Sequence, residues 1–277
     1  MVTDSKALDD FSKDRFTSST RTSHDVYRIG AGPAVIVIHE VPGITPLVAS
    51  FARKVAGRGM TAVLPDLFGT PGRAITTTYG VASMARACVS REFKVLATNQ
   101  TSPVIGYLRE LAAYEHRRCG GSGVGAVGMC LTGGFALAMS VEPSVVAPVL
   151  SQPSMPLPIG RRRRAALGLS DGDLDTVRRR THDGLCVMGL RFTGDKVSPH
   201  ERFETLREVL GENFIGVEID SSQGNPWGYR SNSHSVLTEE YSDAPGSPTR
   251  QALDDVLDFF SSRLSARPDP GPTDTLS

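Results

Sequence analysis

The sequence VIVIHE, residues 35–40, is followed further along the chain by GMCLTGG, residues 128–134. The second stretch runs from a buried apolar strand into Gly-x-Cys and then into small residues that begin a helix. A sharp strand-to-helix turn of this kind exposes a nucleophilic side chain above a helix N-terminus. Cys130 stands where serine is usually found in such a turn. The two stretches therefore predict a sheet that presents a cysteine nucleophile.

Apolar, β-branched runs alternate along the chain with segments of helical periodicity. This alternation predicts an α/β fold with a mostly parallel central sheet and helices on both faces. The strands are almost continuously hydrophobic, as expected where both faces of a sheet are covered. The predicted strands are 34–40, 61–65, 125–129, 146–150, 185–192 and 215–219. The predicted helices are 46–57, 102–118, 131–141, 199–210 and 250–264, with a further helix near 81–96.

The sequence divides into three parts. Residues 1–22 form a polar N-terminal extension without the apolar core of a secretory signal. Residues 23–264 form a single α/β domain, with a cap-like excursion at 152–180 in which Ser170 is predicted to cap a short helix. Residues 265–277, rich in Pro, Asp and Thr, predict a disordered tail.

Composition argues against several classes of function. The 30 Lys and Arg residues balance 30 Asp and Glu residues, so a nucleic-acid partner is not expected. No apolar run is long enough to span a bilayer, so no membrane partner is expected. Four cysteines, Cys88, Cys119, Cys130 and Cys186, are widely spaced and form no C-x-x-C pair. This spacing favours free thiols in a cytoplasmic protein over disulfides or a metal site. The protein is expected to be a monomer or a homodimer.

A cysteine nucleophile needs a base, a group that orients the base, and donors for the oxyanion. A helix N-terminus beneath Cys130 would favour its thiolate form. Asp195 lies in a Gly-Asp turn between a predicted strand and a helix, and His234 lies in a polar loop before the last helix. The order nucleophile, Asp, His is the order that α/β-hydrolases use. Cys130, Asp195 and His234 are therefore predicted to form a catalytic triad.

On these residues the chain resembles the dienelactone hydrolase family of α/β-hydrolases. The matching motifs, between Val26 and Phe260, are the His39-Glu40 pair, Pro65-Asp66-Leu67, the elbow at 128–131, Gly194-Asp195 and His234. The resemblance implies hydrolysis of enol-lactones such as dienelactone by a Cys-His-Asp triad, with no cofactor. It also implies that Glu40 contacts the resting thiol and takes part in its activation. The backbone N–H groups of Leu131 and Val41 would hold the oxyanion.

The chain departs from the family pattern at three places. Thr132 stands where the elbow usually carries glycine, and its side chain is predicted to crowd the strand–helix contact. Ser235-Val236 follows His234 where the family commonly has a small residue and an aromatic. Arg86 and Arg91 lie in roughly the region where the family binds a substrate carboxylate. These departures bear on the substrate more than on the chemistry.

Each candidate residue also has a simpler structural interpretation. Cys130 could be a buried, inert thiol, and His234 a loop histidine satisfied by solvent. Asp195 could cap the helix that begins near 199, although Ser198 is better placed to do so. Glu40 could be paired with a nearby arginine.

Two further features have alternative interpretations. The run Arg161 to Arg164 is a solvated surface patch or an anion-binding element over the active site. Trp227 lies in the loop that carries His234, where it lines the pocket or anchors the loop by packing.

The predicted function is hydrolysis of small-molecule esters or lactones through a covalent acyl-enzyme. The alternatives are a general carboxylesterase and a non-catalytic binding protein on the same scaffold.

Overall fold

The computed structural model describes residues 6–76, 102–155 and 160–265, which form a mixed sheet of eight strands with helices on both faces. The strands are β1 (Ser12–Thr17), β2 (Ser23–Gly30), β3 (Ala34–Ile38), β4 (Thr61–Pro65), β5 (Val124–Met129), β6 (Val145–Ser151), β7 (Val187–Phe192) and β8 (Phe214–Ile219). The helices are α1 (Pro46–Gly57), α2 (Pro103–Cys119), α3 (Gly133–Met139), α4 (Arg161–Ala165), α5 (Asp171–His182), α6 (His200–Leu210) and α7 (Pro248–Leu264). Short 3₁₀ turns cover Cys130–Thr132 and Gly211–Asn213. No helix in these ranges is long and apolar enough to cross a bilayer.

The strand order is β1-β2-β4-β3-β5-β6-β7-β8. The pairs β1–β2 and β2–β4 are antiparallel, and every pair from β4 through β8 is parallel. The predicted α/β fold with a mostly parallel sheet is thereby confirmed. Because parallel strands share a direction, the carboxyl ends of β3 through β8 lie at one edge, where ligands of α/β sheets bind.

Both faces of the sheet are buried, which explains the continuous hydrophobicity of the strands. In β3, Ile36 and Ile38 pack into one apolar cluster with side chains of α2, α3 and α6. Val35 and Val37 alternate with them and pack into a second cluster with side chains of α1 and α7. Alternate residues of one strand therefore contribute to two separate cores.

The N-terminal part of the sheet was not predicted. Residues 12–17, placed by the sequence in a polar extension, form β1 and pair with β2 from Ser12–Arg28 to Thr17–Ser23. Most of β1 is exposed, so it carries no hydrophobic periodicity from which a strand could be predicted. Its extended conformation comes from pairing with β2 and from cross-strand charges, such as Lys13 with Asp25 at 2.7 Å.

Several element boundaries differ from prediction by one or two residues. α1 and β4 have the predicted limits, but β3 ends at Ile38 because the chain turns at Glu40, whose carbonyl accepts a hydrogen bond from Gly43 N (2.9 Å). The cap predicted at Ser198 is wrong: Pro199 is the N-cap of α6, and the Ser198 N–H donates to Asp195. The predicted helix near 81–96, with Arg86, Cys88 and Arg91, and the tail at 266–277 lie outside the described residues.

The excursion between β6 and β7 carries α4 and α5. Ser170 caps α5 as predicted, because its hydroxyl accepts a hydrogen bond from Asp173 N at 3.2 Å. The buried guanidinium of Arg202, on α6, donates to the carbonyls of Pro153, Arg163 and Ala166 at 2.6, 3.2 and 2.8 Å. Arg202 therefore ties the start of the excursion and the segment around α4 to α6.

A buried ion pair joins β2 to α2 and gives a test of the fold. The guanidinium of Arg28 donates to Glu115 Oε1 from Nε at 2.9 Å and from Nη2 at 2.5 Å, and Glu115 is fully buried. We expect Glu115→Ala to lower the free energy of unfolding by about 3–5 kcal/mol, because Arg28 is left as an uncompensated buried charge. Urea denaturation measures the effect. The control Asp175→Ala removes the exposed Arg178 pair and should cost less than about 1 kcal/mol. Equal losses in the two variants would contradict the prediction.

Candidate active site

The predicted site residues follow four of the parallel strands, at the carboxyl edge of the sheet. Glu40 lies two residues after β3, and Cys130 directly after β5. Asp195 lies in the turn after β7, and His234 in the long loop between β8 and α7. The sheet therefore places at one edge four residues that are far apart in sequence.

Cys130 lies on a strained turn between β5 and α3. Its φ angle is +57°, in the left-handed region that residues with a side chain rarely adopt. The turn is tight: a Cβ on Gly128 would lie 2.0 Å from the carbonyl oxygen of Thr132. Only glycine at 128 allows this backbone contact, and the contact turns the chain sharply enough to place the Cys130 side chain at the sheet edge.

Thr132 does not crowd the elbow as predicted. Its buried hydroxyl lies 2.9 Å from the Met129 carbonyl, 2.9 Å from the Ile38 carbonyl and 3.2 Å from the His39 carbonyl, and it accepts from Met129 N at 2.9 Å. The side chain therefore lies towards the end of β3 and links the elbow to that strand. A glycine at this position would lack the link.

Asp195 and His234 are joined by a short hydrogen bond. His234 Nδ1 lies 2.6 Å from Asp195 Oδ2, and Asp195 Oδ1 accepts from Val197 N at 2.8 Å and Ser198 N at 3.1 Å. Gly194 allows the two segments to meet, because a Cβ there would lie 2.4 Å from the carbonyl oxygen of Ser231. Asp195 therefore holds the imidazole from the side opposite Nε2.

The electrostatics of the pair favour an imidazolium beside the Asp195 carboxylate. Burial lowers the pKa of His234, but the charge of Cys130 and the hydrogen bond with Asp195 raise it by more, to well above the ordinary value of 6.5. Burial raises the pKa of Asp195, but the hydrogen bond with His234, the histidine charge and the two backbone N–H groups bring it below 3.8. His234 Nε2 is buried and has no partner of ordinary hydrogen-bond geometry among the described residues. The Nε2 side of the ring is therefore available to Cys130, whose electrostatic interaction raises the pKa of His234.

Glu40 is buried and held by polar side chains. Its Oε2 accepts from Ser235 Oγ at 2.8 Å and from Gln152 Nε2 at 3.3 Å, and its Oε1 accepts from Thr238 Oγ1. Within the described part of the chain, Glu40 makes no ion pair with arginine and no hydrogen bond to Cys130. Three neutral donors, from Ser235, Thr238 and Gln152, therefore hold the Glu40 carboxylate in place.

Gln152 links Glu40 to the loop of His234. It lies directly after β6, is fully buried and has a φ angle of +34°, again in the left-handed region. Its Nε2 donates to Glu40, while its Oε1 accepts from Val236 N at 3.3 Å and from Ser151 Oγ. No motif pointed to Gln152, Ser235 or Thr238, since short polar residues after a strand or in a loop are common.

The remaining predicted residues lie elsewhere. Trp227 is 42% exposed, and its ring lies beside Gly246. The loop is anchored instead by Tyr229, whose ring packs against Phe192 with centroids 5.0 Å apart. Arg161 to Arg164 form the exposed helix α4, where Arg164 pairs with Glu201 at 2.7 Å. In the described ranges no three His, Cys, Asp or Glu side chains are close enough to hold a metal ion.

Comparison with known proteins assigns the fold to a family. Residues 22–264 match the model of the dienelactone hydrolase family. No curated protein sequence matches the chain.

Several solved structures share the fold. A presumed dienelactone hydrolase from Klebsiella pneumoniae subsp. pneumoniae is 19% identical, with 90% of this chain and 99% of that chain covered and a TM-score of 0.58. A dienelactone hydrolase from Anabaena variabilis is 17% identical, with 92% and 99% covered and a TM-score of 0.57. A cold-adapted esterase from an Arctic intertidal metagenomic library is 12% identical, with 92% and 95% covered and a TM-score of 0.57. At these identities the likeness establishes the α/β-hydrolase-like fold and does not identify a substrate.

The elbow can be tested through Gly128. We expect Gly128→Ala to lower the free energy of unfolding by about 3 kcal/mol, because the new methyl group overlaps the Thr132 carbonyl. The control Gly106→Ala adds a methyl group within α2, where nothing lies within 4 Å, and should stabilise by about 0.5–1 kcal/mol. Urea denaturation of both variants measures the difference. A Gly128→Ala variant as stable as wild type would show that the turn is looser than described.

The charge interaction between Cys130 and His234 gives a second test. We expect Cys130→Ala to lower the pKa of His234, because the charge that raises it is removed. An NMR titration of the imidazole resonances measures the shift. The control Cys186→Ala removes the thiol of the residue directly before β7. It should leave the pKa of His234 unchanged. If the pKa of His234 is the same in Cys130→Ala as in wild type, the two side chains do not interact electrostatically.

Proposed function

Since the chain belongs to the dienelactone hydrolase family, we propose that it hydrolyses ester or lactone bonds of small molecules through the thiol of Cys130. The observation that carries the proposal is the site around His234. One ring nitrogen is held 2.6 Å from Asp195, while Cys130, on its strained elbow, interacts electrostatically with the same ring. Nucleophile, base and orienting acid are the three parts that covalent acyl transfer needs.

The first half of the reaction forms an acyl-enzyme. His234 takes the proton of the Cys130 thiol, and Asp195 stabilises the imidazolium that results. The thiolate attacks the carbonyl carbon of the ester or lactone and forms a carbon–sulfur bond. The tetrahedral intermediate then collapses and its carbon–oxygen bond breaks. The departing oxygen takes the proton from His234, which leaves a thioester on Cys130.

The second half releases the acid. His234 takes a proton from a water molecule, whose oxygen attacks the thioester carbonyl. Collapse of the second tetrahedral intermediate breaks the carbon–sulfur bond and expels the thiolate, which the imidazolium beside it stabilises. The enzyme returns to its starting charge, and the net reaction consumes one water molecule per bond cleaved.

The backbone N–H groups of Leu131 and Val41 are our candidates for the oxyanion hole. Leu131 follows the nucleophile, and Val41 follows Glu40 at the end of the neighbouring strand. The Val41 N–H donates to no acceptor in the described ranges. A donor aimed at the oxyanion contributes about 10²–10³ in rate.

The chemistry of a thiolate nucleophile favours esters and lactones over amides. A thiolate is a better leaving group than an amine, so an amide intermediate returns to substrate unless the nitrogen is protonated first. Alkoxides and enolates leave more readily. Small-molecule esters and lactones are therefore the proposed substrate class.

The nucleophile is tested by hydrolysis of p-nitrophenyl esters and dienelactone. We expect Cys130→Ala to lower kcat by about 10³-fold or more, with its urea unfolding curve close to that of wild type. Cys130→Ser should fold and retain only weak activity, because a hydroxyl ionises far less readily than a thiol. Cys186→Ala is the matched control and should hydrolyse the panel at the wild-type rate.

The substrate ranking separates a lactonase from a general carboxylesterase. Unchanged turnover by Cys130→Ala would reject Cys130 as the nucleophile. Wild-type rates in Cys130→Ser would show that ionisation of the thiol does not limit the reaction. Absence of turnover and of selective Cys130 alkylation in the wild-type protein would favour a non-catalytic binding protein.

A further inference from the structure

A second set of hydrogen bonds, distinct from the Asp195 bond, holds the loop of His234. Ser235, the next residue after the histidine, donates to Glu40 Oε2 at 2.8 Å. Thr238 donates to Glu40 Oε1. Both hydroxyl residues are buried, with exposed fractions of 8% and 5%. The two oxygens of one carboxylate therefore bind two points of the loop that flank Val236 and Leu237.

Gln152 completes this set of contacts from a second strand end, that of β6. Its amide nitrogen donates to Glu40 at 3.3 Å, and its amide oxygen accepts from Val236 N at 3.3 Å. The left-handed backbone of Gln152 is a strained conformation, which persists only where the surroundings require it. Gln152, Glu40, Ser235 and Thr238 are called the loop clamp below.

Glu40 is nearly inaccessible to solvent, at 3% exposure, and both of its oxygens are occupied. Three donors satisfy the carboxylate without a lysine or arginine in the described ranges. These donors take three of the roughly four acceptor positions of the carboxylate, and in the described ranges none of its hydrogen bonds goes to Cys130. The geometry thus suits an anchor better than a proton acceptor.

We propose that Glu40 is a positioning residue, which through Ser235, Thr238 and Gln152 fixes the loop that presents His234 to Cys130. The proposal rests on the proposed function and deepens it, because it assigns to Glu40 a role different from contact with the resting thiol. Asp195 sets the orientation of the imidazole, and the loop clamp sets the position of the backbone that carries it. Loss of the clamp should therefore lower kcat with little change in KM.

The experiment compares removal of the carboxylate with removal of its partners. Glu40→Gln keeps an oxygen that accepts from a hydroxyl, and should retain kcat within about tenfold of wild type. Glu40→Ala and the double variant Ser235→Ala/Thr238→Val should each lose about 10²-fold in kcat. Combining Glu40→Ala with the double variant should cause little further loss, because the partners act as one unit.

Controls come from hydroxyls outside the site. Ser262→Ala and Thr205→Val remove hydroxyls that bond only to helix carbonyls, those of Phe259 and Glu201. Both should keep wild-type kcat. Should Glu40→Ala fail to fold, the comparison of Glu40→Gln with the double variant decides the question alone.

The two roles for Glu40, proton acceptor and positioning residue, predict different patterns of activity. A proton-accepting Glu40 requires Glu40→Gln to be as inactive as Glu40→Ala and the double variant to retain activity, since an amide takes up no proton. That pattern would overturn the proposal, as would unchanged kcat in Glu40→Ala. Rescue by Glu40→Gln, together with equal losses in Glu40→Ala and the double variant, would support it.

Amide hydrogen exchange separates this proposal from the proposed function. In Glu40→Ala the Val236 amide should exchange at least about tenfold faster than in wild type, because its acceptor Gln152 loses its own anchor. This readout does not depend on turnover. Full turnover by Cys130→Ala would reject the proposed function alone, whereas unchanged exchange in Glu40→Ala would reject the clamp alone.

Discussion

The rest of the site depends on one close approach of backbone to backbone. The Thr132 carbonyl lies where a Cβ on Gly128 would be, so the chain reverses from β5 into α3 within a few residues. This reversal forces Cys130 into a left-handed conformation and places its side chain at the carboxyl edge of the sheet. The hydroxyl of Thr132 then ties the turn to the end of β3, the strand that leads to Glu40. Cys130 and Glu40 are therefore held by two segments that are hydrogen-bonded to each other.

His234 is supported differently, because it lies in a long loop that has no ladder of hydrogen bonds to a neighbouring strand. Polar contacts from three strand ends replace the missing ladder: Asp195 after β7, Gln152 after β6 and Glu40 after β3. Buried hydrogen bonds of this kind specify one arrangement, because a donor or acceptor left unpaired there costs more than a bond gains. In this chain, polar residues other than Cys130, Asp195 and His234 therefore help to hold the loop of His234 in place.

The sequence predicted those features that depend on local patterns. α1 has its predicted limits because Thr45 caps it and Pro46 opens it, and Cys130, Asp195 and His234 were predicted as site residues because each lies in a turn or loop that follows a strand. Prediction failed where pairing rather than pattern decides structure. β1 has no apolar periodicity, and α6 begins at His200 with Pro199 as its N-cap, so that Ser198 lies one residue before the capping position.

By itself the sequence determined the α/β class, and it predicted the elbow at Cys130 and a site in which Cys130, Asp195 and His234 follow one another along the chain. These follow from hydrophobic periodicity, glycine placement and chain order, which are local or one-dimensional properties. Only the tertiary structure decided what Glu40 contacts, because Gln152, Ser235 and Thr238 are separated from it by more than a hundred residues. Side chains that meet across strand ends leave no spacing in the sequence, since their contact is set by the order of strands in the sheet.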